Sequence, residues 1–237
     1  MYTSAADRPR PLTTCWLHWL AVPTGDQAGV IASLGLTQPS LVTFEVAEEV
    51  IDADSHRGFS KEPQGRPRVY VSPELDGWTL VIGRWCNPCD GGRSDEVLRM
   101  CVELSARYGQ AQAYYYGAQG DGSAWLIAER GSVVRRYCET GEGEDHYLTL
   151  GEPLPFERAR REQLGLSPTW DAATESDEDE EEWSLATYGM APEIAAALSI
   201  SPRDLTAETR TRGTGVLALT PPRDGHTGTS LIGPAAG

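Results

Sequence analysis

Val69-Tyr-Val-Ser-Pro-Glu-Leu-Asp-Gly-Trp-Thr-Leu-Val-Ile-Gly83 opens the stretch that decides the fold, and Trp85-Cys86-Asn87-Pro88-Cys89 follows it directly. Its β-branched and aromatic runs flank Pro73 and an Asp76-Gly77 pair. This pattern predicts strands over 68–72 and 78–84 joined through a tight turn. Ser94 stands as an N-cap for a helix reaching Tyr108, whose apolar stripe is Val97, Leu98, Cys101, Leu104 and Tyr108, with Gly109 as the stop. Three further strands are predicted over 111–116, 124–128 and 133–137. Turn-rich residues 117–122 separate the first two, and Arg130-Gly131 separates the last two.

Working outward, residues 15–22 read as a strand closed by Pro23, and residues 26–34 as a short helix ended by Gly35. Alternation over 42–51 predicts a second strand, followed by a mobile Gly/Pro/Arg-rich loop over 52–67. A short helix is expected over 155–164. Together these predict an α+β fold: a mixed, mostly antiparallel sheet with helices packed on one face, a two-layer sandwich. The strand order is not legible from the patterns.

Residues 175–182 are almost wholly acidic. A block that repels itself and buries no apolar area reads as a disordered or extended linker. Residues 191–198 begin a helix with proline in its first turn, and 216–219 read as a strand returning to the core. The expected organisation is therefore a core domain over 1–168 with a loose stretch at 1–10. An acidic linker follows over 169–183, then a helix-strand appendage over 184–220 and a disordered tail over 221–237.

The 237 residues suffice for one sizeable core, and the composition, 40% hydrophobic and 23% charged, is that of a globular chain. No apolar run approaches the length of a membrane span, and no signal pattern opens the chain, so the expected location is the cytoplasm. A net charge of -15 argues against nucleic acid, which requires clustered basic residues, and would steer in a basic protein partner. Lys61 is the only lysine among many arginines, a bias that fits a GC-rich genome. Five cysteines (Cys15, Cys86, Cys89, Cys101 and Cys138) without a signal pattern read as reduced thiols, with Cys15, Cys101 and Cys138 as small core residues.

Trp-Cys-Asn-Pro-Cys at 85–89 resembles the redox site of the thioredoxin family. That resemblance implies Cys86 as attacking thiolate and Cys89 as resolving thiol. Four residues (90–93) intervene before the helix, which takes the thiol away from its N-terminus, and Asp90 opposes thiolate formation. The connection after residue 117 is also too short for the crossover helix of that family. Zinc is disfavoured because no second Cys/His pair of matching spacing follows Cys86 and Cys89; Cys138 and His146 would have to complete a site. No Gly-x-Ser-x-Gly elbow or phosphate-binding loop occurs, and His18, His56, His146 and His226 lie in unrelated contexts. His18 reads as half-buried and satisfied, His226 as part of the tail, and His56 as the one to watch. No cofactor or metal is called for.

The aromatic residues carry the stronger signal. Strand alternation puts Tyr114 and Tyr116 on one face and Tyr115 on the other. A single core cannot take every ring, so Trp78, Trp85, Tyr114, Tyr116 and Trp125, with Asp76, are expected to form an exposed aromatic and acidic binding face.

The segments 72–83, 104–109, 124–125 and 131–137 together resemble an uncharacterised, actinobacterial-type group of bacterial proteins. Those carry a Gly-Trp-Thr-hydrophobic-Val-x-Gly strand, a Leu-Ser-x-x-Tyr/Phe-Gly helix end and a Trp…Gly-x-Val-x-Arg hairpin. The resemblance implies no catalytic motif. Small acidic α+β chains of this kind are also similar in style to immunity proteins of bacterial toxin systems. The leading expectation is a non-enzymatic, immunity-like module that binds a basic protein partner. The alternatives are a thiol-disulfide oxidoreductase using Cys86 and Cys89, and a biosynthetic or defence-associated enzyme whose site is built from scattered residues.

Overall fold

The computed structural model describes residues 8–57, 66–141, 148–170 and 173–222. The expected tail beyond 222, His146 and His226, the first seven residues and most of the loop after Arg57 lie outside the described residues. Eight strands form one sheet in the order β2-β10-β3-β5-β1-β6-β7-β8. They are β1 (Trp16–Val22), β2 (Thr37–Leu41), β3 (Arg68–Val71), β5 (Thr79–Ile82), β6 (Gln110–Gly117), β7 (Ser123–Glu129), β8 (Ser132–Glu139) and β10 (Val216–Leu219). Each neighbouring pair is antiparallel. Short strands β4 (Glu74–Leu75) and β9 (Thr211–Arg212) pair beside it.

Two turns set the hairpins. Asp76 and Gly77 both take positive φ between Leu75 and Trp78, and Arg130 and Gly131 do the same between β7 and β8. Positive φ at both central residues is the two-residue turn whose twist matches paired strands.

The α+β class and the antiparallel character stand, but helices cover both faces of the sheet. On one face Leu17, Trp19, Ala21, Tyr70, Leu80, Ile82, Tyr114, Trp125 and Ile127 meet apolar residues of four helices. These are α2 (Phe44–Arg57), α4 (Pro155–Gln163), α5 (Asp177–Thr187) and α6 (Met190–Leu198). On the other face Leu20, Val22, Val69, Val71, Val81, Leu126 and a set of alanines meet α1 (Gln27–Ser33) and α3 (Ser94–Tyr108). Ala111, Ala113 and Ala128 lie on this second face. Their small size leaves room for the Met100 and Leu104 side chains of α3.

Two expectations fail locally. Of the strand expected over 42–51, residues 44–51 are helical, as are residues 52–57 of the expected loop; together they form α2, and the strand is β2, two residues earlier. Phe44, Ala47, Ile51 and Ser55 are buried at helical spacing, and the Thr43 hydroxyl accepts from the Val46 amide at 3.3 Å, a capping contact. β2 lies at the sheet edge, exposed along its length, with Pro39 tolerated there because an edge strand needs no outward amide.

The acidic run expected as a linker forms α5. Ser176 and Asp179 make a reciprocal capping box, and Asp177 to Glu180 occupy the first turn, where carboxylates favour the helix dipole. Trp183 and Thr187, four apart, are buried against the core. Ser94 is the first residue of α3 rather than its cap, a position taken by Arg93.

A buried polar group fixes the segment before α4. Glu157, fully buried, accepts from Arg135 Nη2 at 2.5 Å, from the Trp125 indole at 3.1 Å and from the Leu154 amide at 2.8 Å. Arg135 also donates to the Gly151 carbonyl at 2.8 Å. Removing one partner of such a pair strands the other charge away from water. Glu157→Gln is expected to destabilise the fold by about 3–5 kcal/mol, read as a lower denaturant midpoint at unchanged slope.

Candidate functional site

The expected aromatic face does not assemble. Trp85 is buried under the Arg93 guanidinium, which sits 4.9 Å from its ring. Tyr114 is fully buried, stacked on Trp19 at 4.9 Å, and donates to Gln112 Oε1 at 2.7 Å. Trp125 is fully buried and stacked on Tyr137 at 4.7 Å. Trp78 and Tyr116 are half-buried, and Arg203 lies 4.4 Å from the Tyr116 ring. Asp76 is exposed and accepts from Arg210 Nε at 2.8 Å. The physical reason is the helical cover: Tyr114 and Trp125 lie on the face closed by α2, α4, α5 and α6, and Trp85, in the turn after β5, packs into the core on the other face.

The cysteine motif divides. Cys86 closes the 3-10 turn Arg84–Cys86, is buried beneath α3, and its thiol donates to the Val81 carbonyl at 3.4 Å. Burial pushes this thiol up to about 12, against the opposing influence of Arg93. A thiol so protonated is no attacking nucleophile. Cys89 is bonded to Cys138, with Cα atoms 6.3 Å apart, a separation usual for a disulfide. The expectation of reduced thiols is thus corrected for Cys89 and Cys138; Cys15, Cys86 and Cys101 are free. Native Cys86 is expected to resist thiol reagents up to about pH 9 and to react only in denaturant, measured by timed alkylation and peptide mapping.

Among the histidines, His56 lies on α2, half-exposed, 5.3 Å from the Trp16 ring, with Nδ1 2.8 Å from the Asp52 carbonyl. Among the described residues its hydrogen-bond and ion-pair partner is Asp52, on its own helix. His18 is buried, stacked on Tyr115 at 5.0 Å, and its Nδ1 has no hydrogen-bond partner among the described residues. Desolvation, with the nearby Arg84 charge, pushes His18 down to about 3. Between pH 6.5 and about 3 the unfolded chain binds a proton at His18 that the folded chain does not, so stability rises with pH across that window and is lost as pH falls through it. That loss is on the order of 4–5 kcal/mol. His18→Phe, which retains a ring against Tyr115, is expected to flatten this dependence in denaturation series at pH 4 to 7.

Among the described residues no cluster of three or more His, Cys, Asp or Glu side chains is arranged to hold a metal. No helix among them is long and apolar enough to cross a membrane.

What sequence reasoning missed is the outer face of α5. Glu178, Glu181, Glu182 and Leu185 fall at helical spacing on one side, all exposed, opposite the buried Trp183 and Thr187. Leu185 is 62% exposed, and Trp170, shortly before the helix, is 47% exposed. The inner side is held by Arg161, which pairs with buried Glu175 and places its guanidinium 4.9 Å from the Trp183 ring. Beyond α5, an open groove of about 630 Å³ is lined by Phe156, Pro192, Ala196, Glu193, Arg203 and Asp204. The signal that would have found the face is the capping box at 176–179, followed by apolar positions at helical spacing. The chain matches no protein-family model, no curated protein and no solved structure.

Proposed function

We propose that the protein is a non-enzymatic, cytoplasmic binding module that captures a basic protein partner, in the manner of an immunity protein, through the outer face of α5. The observation that carries this reading is the combination on one ordered helix of exposed carboxylates at 178, 181 and 182 with the exposed Leu185. Carboxylates of this kind steer a basic partner and exclude acidic ones, while an apolar anchor supplies slow dissociation. The net charge of -15 extends the attraction over the whole chain and repels phosphate backbones.

An acidic surface without an apolar anchor is often solvation alone. Leu185, with Trp170 at 47% exposed, is what separates this helix from that case. The groove lined by Phe156 and Pro192 offers a further apolar contact for the same partner. A redox enzyme is not favoured, because the thiol that would attack is buried and protonated.

Affinity capture on the immobilised chain, followed by stopped-flow association with the captured protein, tests the reading. The partner is expected to be basic, with an association rate falling at least ~10-fold between low salt and roughly 0.3 M salt. Glu181→Gln and Glu182→Gln combined, both outside the first turn of α5, should slow association while leaving the melting temperature nearly unchanged, and adding Glu178→Gln should slow it further at the cost of one first-turn carboxylate. A salt-independent rate, or a triple variant that binds as the parent does, would falsify the proposal.

A further inference from the structure

The turn that follows β5 is tied to the far edge of the sheet. Cys89, half-buried, is bonded to Cys138, a buried residue near the end of β8 and 49 positions away in sequence. The bond sits within a small satellite cluster of Tyr115, Ala124 and Cys138, against which Trp16, Cys89 and Leu148 pack, outside the two main cores. A second tie joins the same elements: Arg136 Nη2 on β8 donates to the Pro88 carbonyl at 2.8 Å. Arg136 is buried and lies two residues before Cys138, so both side chains leave the same face of the strand.

We propose that the Cys89–Cys138 bond is a reversible redox latch, whose reduction leaves residues 87–92 held to the end of β8 by the Arg136–Pro88 hydrogen bond alone and so open to faster local release, while both main cores persist. The reductant is a small-molecule thiol. As a thiolate it attacks Cys89 Sγ, the more accessible sulfur; the Sγ–Sγ bond breaks, a mixed disulfide forms at Cys89, and Cys138 leaves as a thiolate. The guanidinium of Arg136 lies on the side where that charge develops. A second small thiol, as its thiolate, then attacks the small-thiol sulfur of the mixed disulfide; Cys89 leaves, the two small thiols depart as their own disulfide, and Cys138 and Cys89 take up the two protons that the small thiols released on ionising. Two electrons and two protons have passed to the protein; the small disulfide reverses the sequence.

The effect is local because of where the bond lies. β8 remains paired to β7 from Ser123↔Glu139 to Glu129↔Ser132 without it. Trp85 and Cys86, immediately before the turn, stay anchored under α3 by burial. Cys86 does not take part, because its thiol is enclosed on the second face of the sheet and directed at the Val81 carbonyl. The latch is independent of the partner-binding reading. It adds to it only that a protein working in a thiol-reducing compartment would hold this bond in a condition-dependent state.

Thiol counting and hydrogen exchange on the full chain, equilibrated with oxidised or with reduced glutathione, test the proposal. After denaturation and alkylation, the oxidised form should show three thiols and the reduced form five. Cys86→Ser should still lose two thiols on oxidation, whereas Cys138→Ser should lose no more than one, to a glutathione mixed disulfide at Cys89. Peptides covering 87–92 and 136–140 should exchange about 10-fold faster or more in the reduced form, with β1, β5 and β6 unchanged. Five thiols in the oxidised form, or a two-thiol loss that Cys86→Ser abolishes, would overturn the pairing. Equal exchange in both forms, or faster exchange across the whole sheet, would overturn the latch.

Discussion

Val216–Leu219 hydrogen-bonds to β3 on one side and to β2 on the other, and the rest of the architecture depends on this insertion. Without β10, β3 would present an unpaired edge and β2 would have no neighbour, since its register runs only to β10. Unpaired edges leave rows of backbone donors and acceptors open to other chains. β10, the last strand among the described residues, therefore joins β2 to the rest of the sheet, and residues between β8 and β10 have to pass across one face to reach it. Helices α4, α5 and α6 are that passage. Their burial of Leu154, Trp183, Met190, Ala191 and Ile194 turns a connection into the covering layer of a core.

Two buried ion pairs secure the crossing. Arg135 with Glu157 pins the start of α4 to β8, with the Trp125 indole and the Leu154 amide both donating to Glu157 Oε2. Arg161 with Glu175 ties the end of α4 to the approach of α5. Such pairs add little net stability over apolar packing, because desolvation offsets much of the attraction, but they penalise any arrangement that separates them. They act as registry devices on a segment whose apolar content is modest.

With one side of α5 held inward by Trp183 and Arg161, the opposite side is presented at a defined angle. A disordered acidic run would lose conformational freedom on binding; a formed helix has already lost it, leaving more of the contact energy for affinity. The latch lies elsewhere, at the end of β8 and the turn after β5. The proposed partner face and the proposed latch meet the end of β8 from different sides: Tyr137 packs edge-on against Trp183 of α5 at 6.2 Å, and Cys138, the next residue, alternates to the other face.

Local chemistry was legible wherever a residue's role follows from its own backbone or its near neighbours. Asp76-Gly77 and Arg130-Gly131 marked their turns, Gly109 ended α3, and the strands around β1, β3, β5, β6, β7 and β8 stood out by their β-branched and aromatic content. The α+β class followed from these. The Ser176–Asp179 capping box and the 44, 47, 51, 55 spacing of α2 were equally local, and were outweighed by charge repulsion in one case and by apparent alternation in the other. Tertiary structure alone decided that helices cover both faces, that Trp85, Tyr114 and Trp125 are core, that Cys89 meets Cys138 rather than Cys86, and that β10 enters the sheet between β2 and β3. Each depends on contacts between residues far apart in the chain, and strand periodicity states only that side chains alternate, not what lies above either face.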